Sequence, residues 1–180
     1  VDHARATPDA VLLRRVESGI WRDVTAAEFL GDVRRAARGL VASGVGVGDR
    51  VGIMSRTRYE WTVLAYATWN AGGVTVPIYE TSSAEQVEWI LADSGSVAVV
   101  VETERHEQLV ADVRDRLPGL HSCWVVESGG VAEIEALGAQ VGDDDLEQRR
   151  TSRTGDDLAT IIYTSGTTGL PKGIMHSHFV

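Results

Sequence analysis

The chain has 180 residues, 43% of them apolar and 24% charged, which is enough for one ordinary domain with a core and too apolar for a disordered segment. A formal net charge of −9 argues against nucleic acid as a partner, because phosphates would be repelled. A single cysteine excludes an internal disulfide framework and suits a reducing cytoplasm.

The first clear helix signal is "TAAE" at 25–28, a capping box in which Thr25 accepts backbone N–H bonds and Glu28 reaches back. Phe29, Leu30, Val33, Ala37, Leu40 and Val41 then recur at helical spacing, and Ser43-Gly44 ends the run. "SGVGVGD" at 43–49 has its glycines at the wrong spacing for a dinucleotide loop and precedes a strand, so it reads as a turn. "DRVGIM" predicts a strand, residues 59–71 a helix, and "VTVPI" another strand. No charge occurs from Trp61 to Tyr79, but Thr62, Thr68, Asn70, Gly72-Gly73 and Pro77 favour a buried helix–turn–strand unit over a membrane span. "SSAE" at 82–85 reads as a second capping box, opening a helix that Ser94-Gly95 stops. "VAVVVE" is the clearest buried strand, residues 103–117 an amphipathic helix stopped by Pro118-Gly119, and "CWVV" a strand. Cys123 lies in that apolar run and reads as an inert core thiol. From Val131 to Thr154 the pattern weakens, and "DDD" at 143–145 with "EQRR" at 147–150 reads as a solvated helix start and face, not an acidic metal site. "DLATIIY" restores a strand. Short apolar strands separated by helices predict an α/β fold, a parallel sheet with helices on its faces.

That last strand runs into "YTSGTTGLPKG", residues 163–173, which holds Lys172, the only lysine of the chain; the other sixteen basic residues are arginine. Gly166 and Gly169 allow backbone conformations that turn N–H groups toward an anion, and Thr164, Ser165, Thr167 and Thr168 add four hydroxyl donors. Each hydrogen bond to a charged oxygen is worth about 1.5–3 kcal/mol net, so three or four would hold a polyphosphate. Pro171 stiffens the exit, and Lys172 adds a positive charge. No Asp or Glu occurs from Leu158 to Val180. A carboxylate about 4 Å away would repel the ligand by ~4 kcal/mol at an effective dielectric of about 20. A flexible Gly/Thr surface loop is the plain alternative, disfavoured by a run of small and hydroxyl residues directly after a buried strand. A Walker loop fails on spacing, because Lys172 follows Pro171 and precedes Gly173; a GxSxG elbow fails because Tyr163 takes the place of the first glycine. His176 and His178 form an H-x-H pair without a third ligand nearby, too little for zinc.

The run "YTSGTTGLPKG" closely resembles the signature phosphate loop of the adenylate-forming (AMP-binding) superfamily of acyl-CoA synthetases, peptide-synthetase adenylation domains and luciferases. "GVGVGDRVGI", "YEWTVLAYATWNAGGVTVPIYETSSAEQVEWIL" and "DDLATIIYTSGTTG" look most like its bacterial long-chain fatty acyl-CoA synthetase branch; residues 131–153 match least, and His176 stands where an apolar residue is commoner. The resemblance implies ATP-dependent activation of a long-chain fatty acid to acyl-AMP, then thioester formation with coenzyme A, in an enzyme that is cytoplasmic, either free or peripheral to the membrane, with no transmembrane segment. Thr164, Ser165, Gly166, Thr167, Thr168 and Gly169 would grip the β- and γ-phosphates, and Thr164 would also meet Mg²⁺. For Lys172, approach to the phosphates and tethering of the loop both stay open. With Val1 in place of Met and an end soon after the loop, residues 1–180 are expected to be the incomplete N-terminal part of such a domain. The adenine-binding segment, main acidic magnesium ligand, ribose-binding aspartate and catalytic lysine of the family would lie past Val180, no catalytic residue falls within the chain, and these residues alone would make no acyl-CoA. Two alternatives stand beside this: another adenylate-former, such as a fatty acyl-AMP ligase or an amino-acid adenylation domain, and a noncatalytic nucleotide- or anion-binding module.

Overall fold

The computed structural model describes residues 2–164 and 170–179. Helix α1 (Asp2–Ala6) leads into a hairpin of β1 (Val11–Glu17) and β2 (Ile20–Thr25), and then α2 (Ala26–Ala42) begins. Thr25 is its N-cap, and both halves of the capping box with Glu28 are formed. The alternation continues as β3 (Arg50–Met54), α3 (Tyr59–Asn70), β4 (Val74–Ile78), α4 (Ala84–Ser94), β5 (Ser96–Val101), α5 (Glu104–Val113) and β6 (Ser122–Val125). Helices α6 (Gly130–Leu137) and α7 (Asp143–Thr151) precede β7 (Leu158–Thr164) and β8 (Lys172–Ser177).

The main sheet has the order β6-β5-β3-β4-β7-β8. Its first five strands are parallel, and β8 runs antiparallel to β7 on the edge. Parallel strands must be covered on both faces, and β5 shows why its sequence is continuously apolar. Ala98 and Val100 pack with α2, α3 and α6 on one face, around Leu40, Leu64 and Ile134. Val99 and Val101 pack on the other face with Val87 and Leu91 of α4 and with Val110 and Val113 of α5.

Three expectations need correction. The second capping box lies one residue later than "SSAE": Ser83 is the N-cap, and its Oγ accepts from the Gln86 N–H while Gln86 accepts from the Ser83 N–H. Glu85 accepts from the Ser83 hydroxyl instead. The segment 103–117 is helical only to Val113 and tightens into a 3-10 turn over Arg114–Arg116. The sheet also gains an antiparallel strand where only a parallel one was expected. The 43–49 turn is borne out, with positive φ at Gly44 and Gly48 and the Gly46 N–H bonded to Asp49.

Residues 131–153, where the sequence pattern fades, hold α6 and α7. Helix α6 is held against α2 by unusually close approach. Gly39 of α2 faces the backbone of α6, and a Cβ there would run into the carbonyl of Ile134. Arg38 reaches Asp143 at the start of α7, whose first turn carries the three aspartates where the helix dipole favours negative charge.

Candidate functional site

In a parallel sheet, ligands gather outside the carboxyl ends of the strands. The chain reverses its direction of sheet growth between β3 and β5, so their carboxyl ends form the usual crevice. Charged side chains line it, among them Arg56, Arg58, Glu102 and Glu127. Glu102, just past β5 and only 2% exposed, takes 2.8 Å and 3.3 Å contacts from the Arg56 and Arg58 guanidiniums, and the Arg56 backbone N–H at 3.1 Å. Burial pushes the Glu102 carboxyl up, but the hydrogen bonds and charge of Arg56, with the charge of Arg58, outweigh it and hold the group below the usual carboxylate range. A carboxylate so engaged is a stitch between strand ends, not a free base.

The candidate phosphate loop leaves the same edge at β7. Thr164 ends that strand, Lys172 starts β8, and the two are a register pair in the antiparallel ladder. Both are exposed. Thr164 and Lys172 are thereby brought together; Ser165, Gly166, Thr167, Thr168 and Gly169 lie outside the described residues. Every ion pair among the described residues is made by an arginine, none by Lys172. Arginine does the structural pairing here, with its planar fork suited to carboxylates, and the compact lysine charge is left at the loop.

The flanks of this pair are fixed by contacts that no spacing rule would reveal. The Tyr163 hydroxyl donates to Asp93 Oδ2 at 2.6 Å, and the Trp89 indole N–H donates to the Pro171 carbonyl at 2.8 Å. Burial first, and the hydrogen bond to Asp93 second, raise the Tyr163 phenol above its ordinary range, so it stays a neutral donor. Farther up β7, the Trp69 indole N–H holds the Ala159 carbonyl at 2.8 Å. Trp89 lies within the helix that the capping-box signal opens. Its long-range hydrogen bond leaves no local signal.

The remaining candidates separate from the site. Among the described residues, no three of His, Cys, Asp and Glu cluster to hold a metal. His176 sits on β8, whereas His178 lies past its end, edge-on to the Trp69 ring with 6.0 Å between ring centres. Burial and the Arg153 charge lower the His178 pKa against the pull of Asp157. Burial pushes the Cys123 thiol up to about 11, which suits an inert thiol. No helix among the described residues is long and apolar enough to cross a membrane.

Comparison with known proteins places these features in context. The sequence model described as AMP-binding enzyme matches residues 1–180. Long-chain-fatty-acid–CoA ligase FadD15 of Mycobacterium tuberculosis is 46% identical over 175 residues, covering 96% of this chain and 29% of that protein. The inhibitor-bound N-terminal domain of FACL13 from Mycobacterium tuberculosis superimposes with a TM-score of 0.77 at 29% identity, over 98% of this chain and 42% of that one. MatB from Rhodopseudomonas palustris gives a TM-score of 0.74 at 28% identity, over 95% and 32%. The chain thus spans less than a third of the length of the curated relative it matches.

Proposed function

The chain belongs to the AMP-binding enzyme family, and from that premise we propose that the full-length protein activates a long-chain fatty acid with ATP and passes the acyl group to coenzyme A. The observation that carries this reading is the acid-free run of glycines and hydroxyls at 164–169, leaving the carboxyl edge of a parallel sheet with Thr164 and Lys172 exposed and paired at its base. The similarity to a long-chain-fatty-acid–CoA ligase supports the acyl class.

In the first step a carboxylate oxygen attacks the α-phosphorus of ATP, and the bond to the bridging oxygen of pyrophosphate breaks. Two anions must meet, so neutralising charge is the main obstacle. Donors fixed before the reaction, aimed where charge collects on the leaving pyrophosphate, lower that barrier without reorganising. Thr164, Ser165, Thr167 and Thr168 supply hydroxyls, Gly166 and Gly169 let backbone N–H groups turn inward, and Lys172 supplies charge from the opposite strand. Mg²⁺ bound to the triphosphate would neutralise its oxygens, with the Thr164 hydroxyl as its contact in this chain. In the second step the thiol of coenzyme A loses its proton, its sulfur attacks the acyl carbon, and AMP departs with the bonding pair. We assign residues 1–180 to the N-terminal part of the adenylation domain, with no catalytic group of the thiol step among them.

The test is product analysis with the full-length protein, ATP, Mg²⁺ and a panel of carboxylates, with and without coenzyme A. Thioester formation with long-chain acids only when coenzyme A is present is expected. Accumulation of free acyl-AMP whether or not coenzyme A is present, or a preference for amino acids, would move the protein to another adenylate-forming branch.

A further inference from the structure

The two limbs of the candidate loop are tied to one helix. Asp93 holds Tyr163, the residue before Thr164, and Trp89 holds Pro171, the residue before Lys172. Trp89 and Asp93 are four residues apart, hence on one face of α4. That helix is itself firmly seated: its capping box is complete, and Val87, Ile90 and Leu91 are buried against the sheet.

The sheet gives these limbs little lateral support of its own. The parallel pairing of β7 with β4 registers at Thr75 and Thr160, upstream of Thr164, and β8 is an edge strand with a neighbour on one side only. An edge strand is free to twist away unless something covers it. Gly173 fits the same arrangement, because its missing Cβ leaves room for the Tyr163 ring, whose nearest atoms would stand 3.0–3.1 Å from such a carbon. The tyrosine therefore lies close to β8 while its hydroxyl reaches α4.

We propose that Trp89 and Asp93 are positioning residues for the phosphate grip, holding the Thr164–Lys172 pair in a fixed place beside α4 before the nucleotide arrives. The inference rests on the reading of this loop as a triphosphate site and names the part of the fold that sets its geometry. Neither side chain need touch ATP. Each removes freedom that binding would otherwise have to remove.

The test uses the full-length protein with Trp89→Phe, Asp93→Ala and Asp93→Asn. Phenylalanine keeps the packing and loses the N–H donor; asparagine keeps an oxygen that can accept the phenol proton. Trp89→Phe and Asp93→Ala should each raise the ATP KM about threefold to tenfold, the size of one hydrogen bond, with the carboxylate KM unchanged and Asp93→Asn within about twofold of wild type. In the same two variants the backbone amides of Thr164, Lys172 and Gly173 should exchange hydrogen faster while the core amides of β5 do not. Unaltered exchange at those three amides, or an unaltered ATP KM, would overturn the inference, as would equal rises in both KM values with a lowered melting temperature. Should Trp89→Phe fail to fold, Tyr163→Phe carries the test, since it deletes only a hydroxyl. A wild-type protein with no ATP-dependent turnover sinks the functional reading; unchanged amide exchange sinks the positioning one.

Discussion

Thr167→Ala in the full-length protein is expected to lower kcat/KM for ATP about ten- to hundredfold, because a hydroxyl donating to a phosphate oxygen contributes about 1.5–3 kcal/mol. Gly169→Val should cost at least as much by a different route. On the proposed reading, valine would remove backbone freedom that glycine alone gives and add bulk at a loop meant to close round an anion. Combined, the two changes should fall short of the product of their single effects, since donors to one anion act as a unit. The distinguishing sign is where the loss appears. Loss of a group that stabilises departing pyrophosphate lowers kcat as well as affinity, whereas a change in a plain surface loop would leave both near wild type. The carboxylate KM, measured at saturating ATP, should stay put.

The largest effect on stability is expected at Gly39. Gly39→Val should destabilise the protein by about 3 kcal/mol, because the added carbons meet the backbone carbonyl of Ile134 in place of a side chain that could turn aside. At roughly 2–4 °C per kcal/mol for a chain of this size, that is a melting temperature lower by about 6–12 °C. Gly31 is the internal control. It lies in the same helix, but a Cβ there meets only the tip of Arg35 at 3.5 Å. Gly31→Ala should be neutral or stabilise by up to about 1 kcal/mol through helix propensity. Opposite signs at two glycines eight positions apart would show that close helix approach at Gly39, not glycine content, holds α6 in place. Equal small effects at both would deny that close packing.

What could be read from residues alone follows from how local each signal is. The Thr25–Glu28 box, the apolar runs of β3, β4 and β5 and the Ser94-Gly95 stop are made by neighbours in sequence, and the structure has them where the pattern put them. The Ser83 cap was missed by one residue because "SSAEQ" offers two boxes in adjacent frames, and only tertiary placement decides between them. The hairpin of β1 and β2 drew no expectation although Ser18-Gly19 supplies its turn, with φ of 51° and 80°. Its arginine-rich, largely exposed strands lack the clean alternation that reports a buried face. Helix α6 is legible only through Gly39, about a hundred residues away. Likewise, hydroxyls and glycines announced the candidate loop, while Trp89 and Asp93, which brace it, gave no sign.

The most direct measurement is the carboxylate-dependent exchange of labelled pyrophosphate into ATP by the full-length protein. Reversible formation of an acyl adenylate predicts label in ATP that requires Mg²⁺ and a long-chain fatty acid, does not require coenzyme A, and falls with Thr167→Ala. Exchange that ignores the fatty acid, or nucleotide turnover that yields ADP and phosphate in place of AMP and pyrophosphate, would contradict the account.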